Sequence, residues 1–171
     1  MKHTISLLVE NKPGVLSRVA GLFSGRGFNI ESLSVAETTD PDISRMTILT
    51  TGNDHILEQI TKQLNKLINV LKVTDYKSNE FVGRELALIK VAVNDETRSE
   101  VLSIIEIFRG KVVDVSSESY TVEITGDENK MLAILDLFRP MGIKDLARTG
   151  CAALTRGSKQ KTAKAKKLKS Q

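Results

Sequence analysis

Apolar residues along this chain follow two rhythms, and the rhythm switches at regular intervals. Ile5, Leu7 and Val9 fall at every second position, the spacing of a strand with one buried face. Val15, Leu16, Val19, Ala20, Leu22 and Phe23 then recur in steps of three and four, which predicts an amphipathic helix. Residues 29–37 and 44–51 return to strand patterning. Between them lies Thr38-Thr39-Asp40-Pro41-Asp42, whose turn-forming residues make the pair a hairpin. Gly52-Asn53-Asp54 opens a second helix with Ile56, Leu57, Ile60, Leu64 and Leu67 on its apolar side and its N-cap at Asn53 or Asp54. Val70 to Tyr76 reads as a strand, so the order is β-α-β-β-α-β.

The second half repeats that order. Residues 86–93 form a strand, Val101, Ile104, Ile105 and Phe108 mark a helix closed by Gly110, and Val112–Val115 with Tyr120–Ile124 form a hairpin around Ser116-Ser117-Glu118. Gly126-Asp127-Glu128 opens a helix carrying Met131, Leu132, Leu135 and Phe138, which Pro140 stops before a last strand at Gly142-Ile143. Gly27 corresponds to Gly110 and Gly52 to Gly126, so the second hairpin is shorter by about nine residues, a loop change that leaves the elements intact. The pattern predicts an α+β fold of two tandem ferredoxin-like sandwiches, with both helices of each unit on one sheet face. The boundary falls at the polar step Lys77-Ser78-Asn79-Glu80, giving domains 1–77 and 78–157. Residues 158–171 are rich in Lys, Ala, Gln and Ser, lack core-forming residues, and are expected to be a disordered tail.

Charge changes the picture once it is divided. The formal net charge is +4, yet from Arg156 onward there are seven basic residues and no acidic one. Without those seven, 18 basic residues face 21 acidic ones, so the body is mildly acidic. A single cysteine, Cys151, excludes a disulfide framework and suits a reducing cytoplasm. No signal peptide or bilayer-long apolar run is present, so a soluble cytoplasmic protein is expected.

Bond-breaking chemistry finds no support. The two histidines, His3 and His55, stand near no nucleophile motif and read as surface residues. Cys151 lacks a His or Asn partner, and no Cys/His pair has metal-ligand spacing. Gly25-Arg26-Gly27 follows a helix and precedes a strand, the reverse of a dinucleotide fingerprint. Binding chemistry is better served. Pro13 suits a first helical position, Gly14 permits close approach to the backbone, and the N–H groups of Gly14, Val15 and Leu16 would point from a helix N-terminus that favours an anion. Asn11 and Asn29 can offer carboxamide oxygens to an ammonium, and Val15, Leu16 and Ile30 can contact an apolar side chain. The guest these loops describe is a small apolar amino acid. The plainer alternative is that Asn11-Lys12-Pro13-Gly14 is only a good helix start.

The run NKPGVLSRVAGLFSGRGFNIESLSV resembles the ACT domain of acetolactate synthase (acetohydroxyacid synthase) small regulatory subunits, and TDPDISRMTI, QITKQLNKLINVLKV, RELALIKV, SYTVEITG and GIKDLARTG extend the resemblance over residues 1–157. Many ACT domains share the first motif loosely, whereas RELALIKV and Arg148-Thr149-Gly150 are much more specific. The resemblance implies that the first half is an ACT domain and that the chain is a non-catalytic homodimer. It also implies that the chain binds and activates a catalytic large subunit and imposes feedback inhibition by valine. Thiamine diphosphate, magnesium and FAD would sit on the catalytic subunit, with no cofactor or metal in this chain. The effector would lie between two ACT domains, held by Asn11, Gly14, Val15 and Leu16 of one protomer and Asn29 and Ile30 of the other. The second half would contact the catalytic subunit. Its corresponding turn, Asn94-Asp95-Glu96-Thr97, lacks Pro-Gly and adds two carboxylates that repel a carboxylate guest, so effector binding is expected only in the first half. The Lys-rich tail exceeds what the family requires.

Two other classes compete. RNA-recognition modules use the same element order, and the tail is basic, but the first and third strands, ISLLV and SRMTILT, lack the aromatics that stack bases. No membrane partner and no specific nucleic acid are therefore expected. A stand-alone ACT amino-acid sensor would keep the first-half chemistry, but the resemblance in the second half argues against it.

Overall fold

A computed structural model of the chain describes residues 1–76 and 80–157. The boundary residues 77–79 and the basic tail 158–171 lie outside the described residues, and so do the readings that fall on them. The first unit consists of β1 (Lys2–Glu10), α1 (Val15–Ser24), β2 (Ile30–Glu37), β3 (Ile43–Thr51), α2 (Asp54–Leu64) and β4 (Val70–Tyr76). The second consists of β5 (Phe81–Ala92), α3 (Arg98–Ile107), β6 (Lys111–Val115), β7 (Ser119–Gly126), α4 (Glu128–Phe138) and β8 (Ile143–Arg148), followed by β9 (Ala152–Thr155). The strand orders are β2-β3-β1-β4 and β6-β7-β5-β8, the same arrangement twice, with every pairing antiparallel. The expected α+β fold of two ferredoxin-like βαββαβ sandwiches is what the chain forms.

Each sheet buries one face under two helices. Ile5, Leu7 and Val9 of β1 pack with Val15, Val19 and Phe23 of α1 and with Leu57, Ile60 and Leu64 of α2. In the second unit Ala87, Ile89 and Val91 of β5 meet Val101, Ile104 and Ile105 of α3 and Met131, Ile134 and Phe138 of α4. The open N-cap choice resolves to Asn53, whose side-chain oxygen accepts from Ile56 N at 2.9 Å, and Asp127 repeats the device on Lys130 N at 2.9 Å. On α4 the buried positions are Met131, Ile134 and Phe138, while Leu132 faces outward. Both leucine and isoleucine are apolar, so only the helix's rotation against the sheet chooses between them.

Four expectations need correction. The shorter second hairpin is not a loop change alone, because β6 has five residues where β2 has eight. The first strand of the second unit begins at Phe81 rather than at residue 86. Its first four residues pair with a strand the pattern did not predict, β9, from Phe81↔Thr155 to Arg84↔Ala152. After α3 the left-handed residue is Arg109 (φ 54°), one place before Gly110. Gly110 instead sits in tight packing, since a Cβ there would lie 3.2 Å from Val122 Cγ1 and 3.3 Å from the Glu123 carbonyl oxygen.

The β5–β9 extension crosses to the first unit. Ala153 N donates to Thr47 Oγ1 at 3.3 Å, Thr155 Oγ1 donates to Tyr76 Oη at 3.3 Å, and Tyr76 stacks on Phe81 with ring centroids 5.0 Å apart. This explains why Thr4, Ser6 and Thr47, polar residues on the helix-free face of the first sheet, are buried.

Candidate functional site

The loop between β1 and α1 is held from three sides. Asn11 N donates to the Asp42 carbonyl at 2.7 Å and Asn11 Nδ2 to the Pro41 carbonyl at 2.8 Å, which fastens the loop to the β2–β3 turn. Beneath it, Arg18 Nη1 donates to Asn69 Oδ1 at 2.7 Å, Asn69 Nδ2 donates to the Glu10 carboxylate, and Lys12 pairs with Glu10 at 3.2 Å. The Asn69 hydrogen bond, followed by Lys12, holds the Glu10 carboxyl below its ordinary pKa, so it stays charged and keeps Lys12 in place.

The helix start differs in detail from the expectation. α1 begins at Val15, so Pro13 precedes the cap and is not the first helical residue. Gly14 is the N-cap in a left-handed conformation, φ 83°, which a side chain rarely adopts. Pro13, with φ fixed near −65° and no N–H, instead stiffens the approach to that turn. Val15 N is already engaged, donating to the Lys12 carbonyl at 3.3 Å. Leu16 N, in the first turn, has no intrahelical acceptor and is available to an anion. A Cβ on Gly14 would meet nothing within 4 Å, so the cap opens onto free space.

The six expected site residues fall into two groups. Asn11, Gly14, Val15 and Leu16 gather at the end of β1. The Asn11 amide is committed to Pro41, which turns its oxygen free as an acceptor. Leu16 is 43% exposed, while Val15 is 4% exposed, packs into the core and has its N–H engaged, so it offers no side chain to a guest. Asn29 and Ile30 lie at the other end of the sheet. Ile30 pairs with Thr50, which pairs with His3, whereas Ile43 pairs with Glu10. Seven residue steps along β1 separate His3 from Glu10, about 23 Å at the usual strand rise of roughly 3.3 Å. A single chain does not bring the two groups together.

The corresponding loop of the second unit is closed on itself. Asn94 Oδ1 accepts from Glu96 N at 3.0 Å, Thr97 N at 2.8 Å and Thr97 Oγ1 at 3.0 Å, and Thr97 Oγ1 accepts from Asn94 N at 3.1 Å. No acceptor of that carboxamide remains for a guest. His3 and His55 are occupied locally, by the Gly52 carbonyl at 3.1 Å and by Gln59 at 3.0 Å. Among the described residues no cluster of three or more His, Cys, Asp or Glu is placed to hold a metal ion, and no helix is long and apolar enough to cross a membrane.

A cleft of about 430 Å³ between the units was not foreseen. Its lining includes Lys2, Ser32, Tyr76, Glu85, Arg148 and Cys151. Glu85 is buried and takes both Nε (3.2 Å) and Nη2 of Arg148 in a bidentate pair. Burial, and next the Glu85 charge, push the Cys151 thiol above its ordinary pKa.

Comparison with known proteins agrees with this architecture. Residues 5–72 match the family described as AHAS small subunit-like ACT domain, and residues 84–157 match the small subunit of acetolactate synthase. A probable acetolactate synthase small subunit of Archaeoglobus fulgidus is 56% identical over 94% of this chain and all of that protein. The acetolactate synthase small subunit of Mycolicibacterium smegmatis is 53% identical over 91% of each. The crystal structure of the acetolactate synthase small subunit from Thermotoga maritima aligns over 92% of this chain and 99% of that one, with TM-score 0.84 and 45% identity.

Proposed function

The chain belongs to the acetolactate synthase small-subunit family, and from that premise we propose that it is the regulatory subunit that activates the catalytic subunit and makes it sensitive to valine. On this reading it is non-catalytic and cytoplasmic. Thiamine diphosphate, magnesium and FAD belong to the catalytic subunit, which docks on the second unit.

The observation that carries the reading is the division of the binding groups between opposite ends of one sheet. Among the described residues β2 is an edge strand with unpaired backbone groups, so a second copy can add to it. In an antiparallel pairing of two β2 strands, the start of one lies beside the end of the other. Glu37 at the end of β2 pairs with Ser44, which pairs with Val9 close to Asn11. Asn29 and Ile30 of one protomer would then meet Asn11, Gly14 and Leu16 of the other. A valine carboxylate would face the open helix start, its ammonium the Asn11 oxygen, and its side chain Leu16 and Ile30. A ligand that bridges two chains responds to their relative position and can therefore favour one dimer arrangement.

The test is the activity of the catalytic subunit with and without this chain, titrated with valine. Expected are a rise in activity on adding the chain and a fall on adding valine. By calorimetry Asn11→Ala should weaken valine binding about tenfold to a hundredfold, as a hydrogen bond to a charged group contributes about 1.5–3 kcal/mol. Unchanged affinity in that variant would remove Asn11 from the site.

A further inference from the structure

The two stretches most specific to the family resemblance, residues 84–91 and 148–150, meet in space. Arg148 forms its bidentate pair with buried Glu85. Thr149 N donates to the Leu86 carbonyl at 3.0 Å, and Leu86 N donates to Thr149 Oγ1 at 3.0 Å. Residues 148 and 149 are thus locked to β5. The next two residues touch the other unit. Cys151 N donates to Ser32 Oγ of β2 at 3.3 Å, and Gly150, at φ 77°, lies so close that a Cβ would stand 2.5 Å from Ser32 Oγ and 3.3 Å from the Leu33 carbonyl oxygen.

Ser32 is two residues beyond Ile30, and the β2–β3 register slips between them. That slip frees the start of β2 from one ladder position, so it is the part of the strand most able to shift. Other contacts across the seam are poorer transmitters. Lys2 and Glu128 form an ion pair with both side chains about half exposed, which is weak and yielding. Ala153 reaches Thr47 on β3, a strand held on both sides. The Gly150 contact is close and is anchored behind by an ion pair whose carboxylate, Glu85, is buried.

We propose that the Arg148-Thr149-Gly150 turn is the coupling contact of the regulatory subunit: a displacement of β2 caused by effector at Asn29 and Ile30 is handed through Ser32 to Gly150 and so to β5 and β8. Gly150, Ser32 and Arg148 are positioning residues in this scheme and touch no ligand. The inference rests on the regulatory reading above.

The test uses the full chain reconstituted with the catalytic subunit, as wild type, Ser32→Ala and Gly150→Ala. Both variants should bind valine within about twofold of wild type and still raise basal activity, while the ratio of uninhibited to valine-inhibited activity falls at least about fivefold, the lower end of the usual span of allosteric couplings. Cys151, the single native thiol, supplies an independent readout. Valine should change its alkylation rate in the wild type and leave it unchanged in Ser32→Ala. Variants inhibited as fully as wild type, with the same thiol response, overturn the coupling alone. A wild type that binds no valine overturns the regulatory reading beneath it. Should Gly150→Ala fail to fold, Ser32→Ala decides by both readouts, since it removes one acceptor and leaves the backbone free of strain.

Discussion

Asn11 and Asn94 occupy the same place in two copies of one fold, and their carboxamides are used in opposite ways. Asn11 spends its amide on the neighbouring hairpin and leaves its oxygen open beside a glycine-capped helix start. Asn94 spends its oxygen on three donors of its own loop and closes the turn. The surrounding sheets, helices and caps are alike. A βαββαβ unit therefore does not itself specify a binding site. The two units differ in whether the loop's polar groups are satisfied within the loop or left open.

The likeness of the cores can be broken first, because it carries the largest energies. Ile60 on α2 and Ile134 on α4 are equivalent in the repeat, and both are fully buried. Ile60→Ala and Ile134→Ala should each lower unfolding stability by about 2–5 kcal/mol in denaturant titrations. A much smaller loss in one would show that the two cores are not equivalent. The difference between the loops is sharpened by grafting. Lys12→Asp, Pro13→Glu and Gly14→Thr give the first loop the sequence of the second. Calorimetry should then show valine affinity reduced more than about a hundredfold, near 3 kcal/mol, with the far-ultraviolet spectrum unchanged. Retained binding would mean that the loop chemistry does not select the guest.

The smallest effect is a pH dependence confined to the first unit. Glu10 has a lowered pKa in the folded chain, and its repeat equivalent is Val93. The stabilisation it contributes is present above the ordinary carboxylate range and is lost as pH falls through the lowered value. Hydrogen exchange at the Lys12 and Val15 amides should therefore rise on acidification relative to Glu10→Gln, after correction for intrinsic rates. The Asn94–Thr97 loop should show no such difference. Equal behaviour of Glu10→Gln and wild type would remove the carboxylate from the loop's support.

Most elements were legible because their signals are local. Ile5, Leu7 and Val9 alternate, Val15, Val19 and Phe23 recur at helical spacing, and both patterns correspond to buried faces. β9 was not legible. Ala-Ala-Leu-Thr is too short to show alternation, and its partner includes Gly83 and Arg84, which are poor strand signals. It is a strand because residues some seventy positions away supply its ladder. The open polar groups of the β1–α1 loop were largely legible in Asn11 and Gly14, but not the side-chain burial of Val15 or the position of Pro13 ahead of the cap. These depend on which way the first helical turn faces.

By itself, then, the sequence determined the repeat, the α+β class and the contrast between an open and a carboxylate-bearing loop, all of which follow from residue type and short-range spacing. Only the tertiary structure decided that Asn11 and Asn29 stand a strand's length apart, that Asn94 is saturated by its own loop, and that Gly150 presses on β2. The reason is common to all three. Each is a statement about distance between groups, and distance is set by sheet register and packing across the chain rather than by any local pattern.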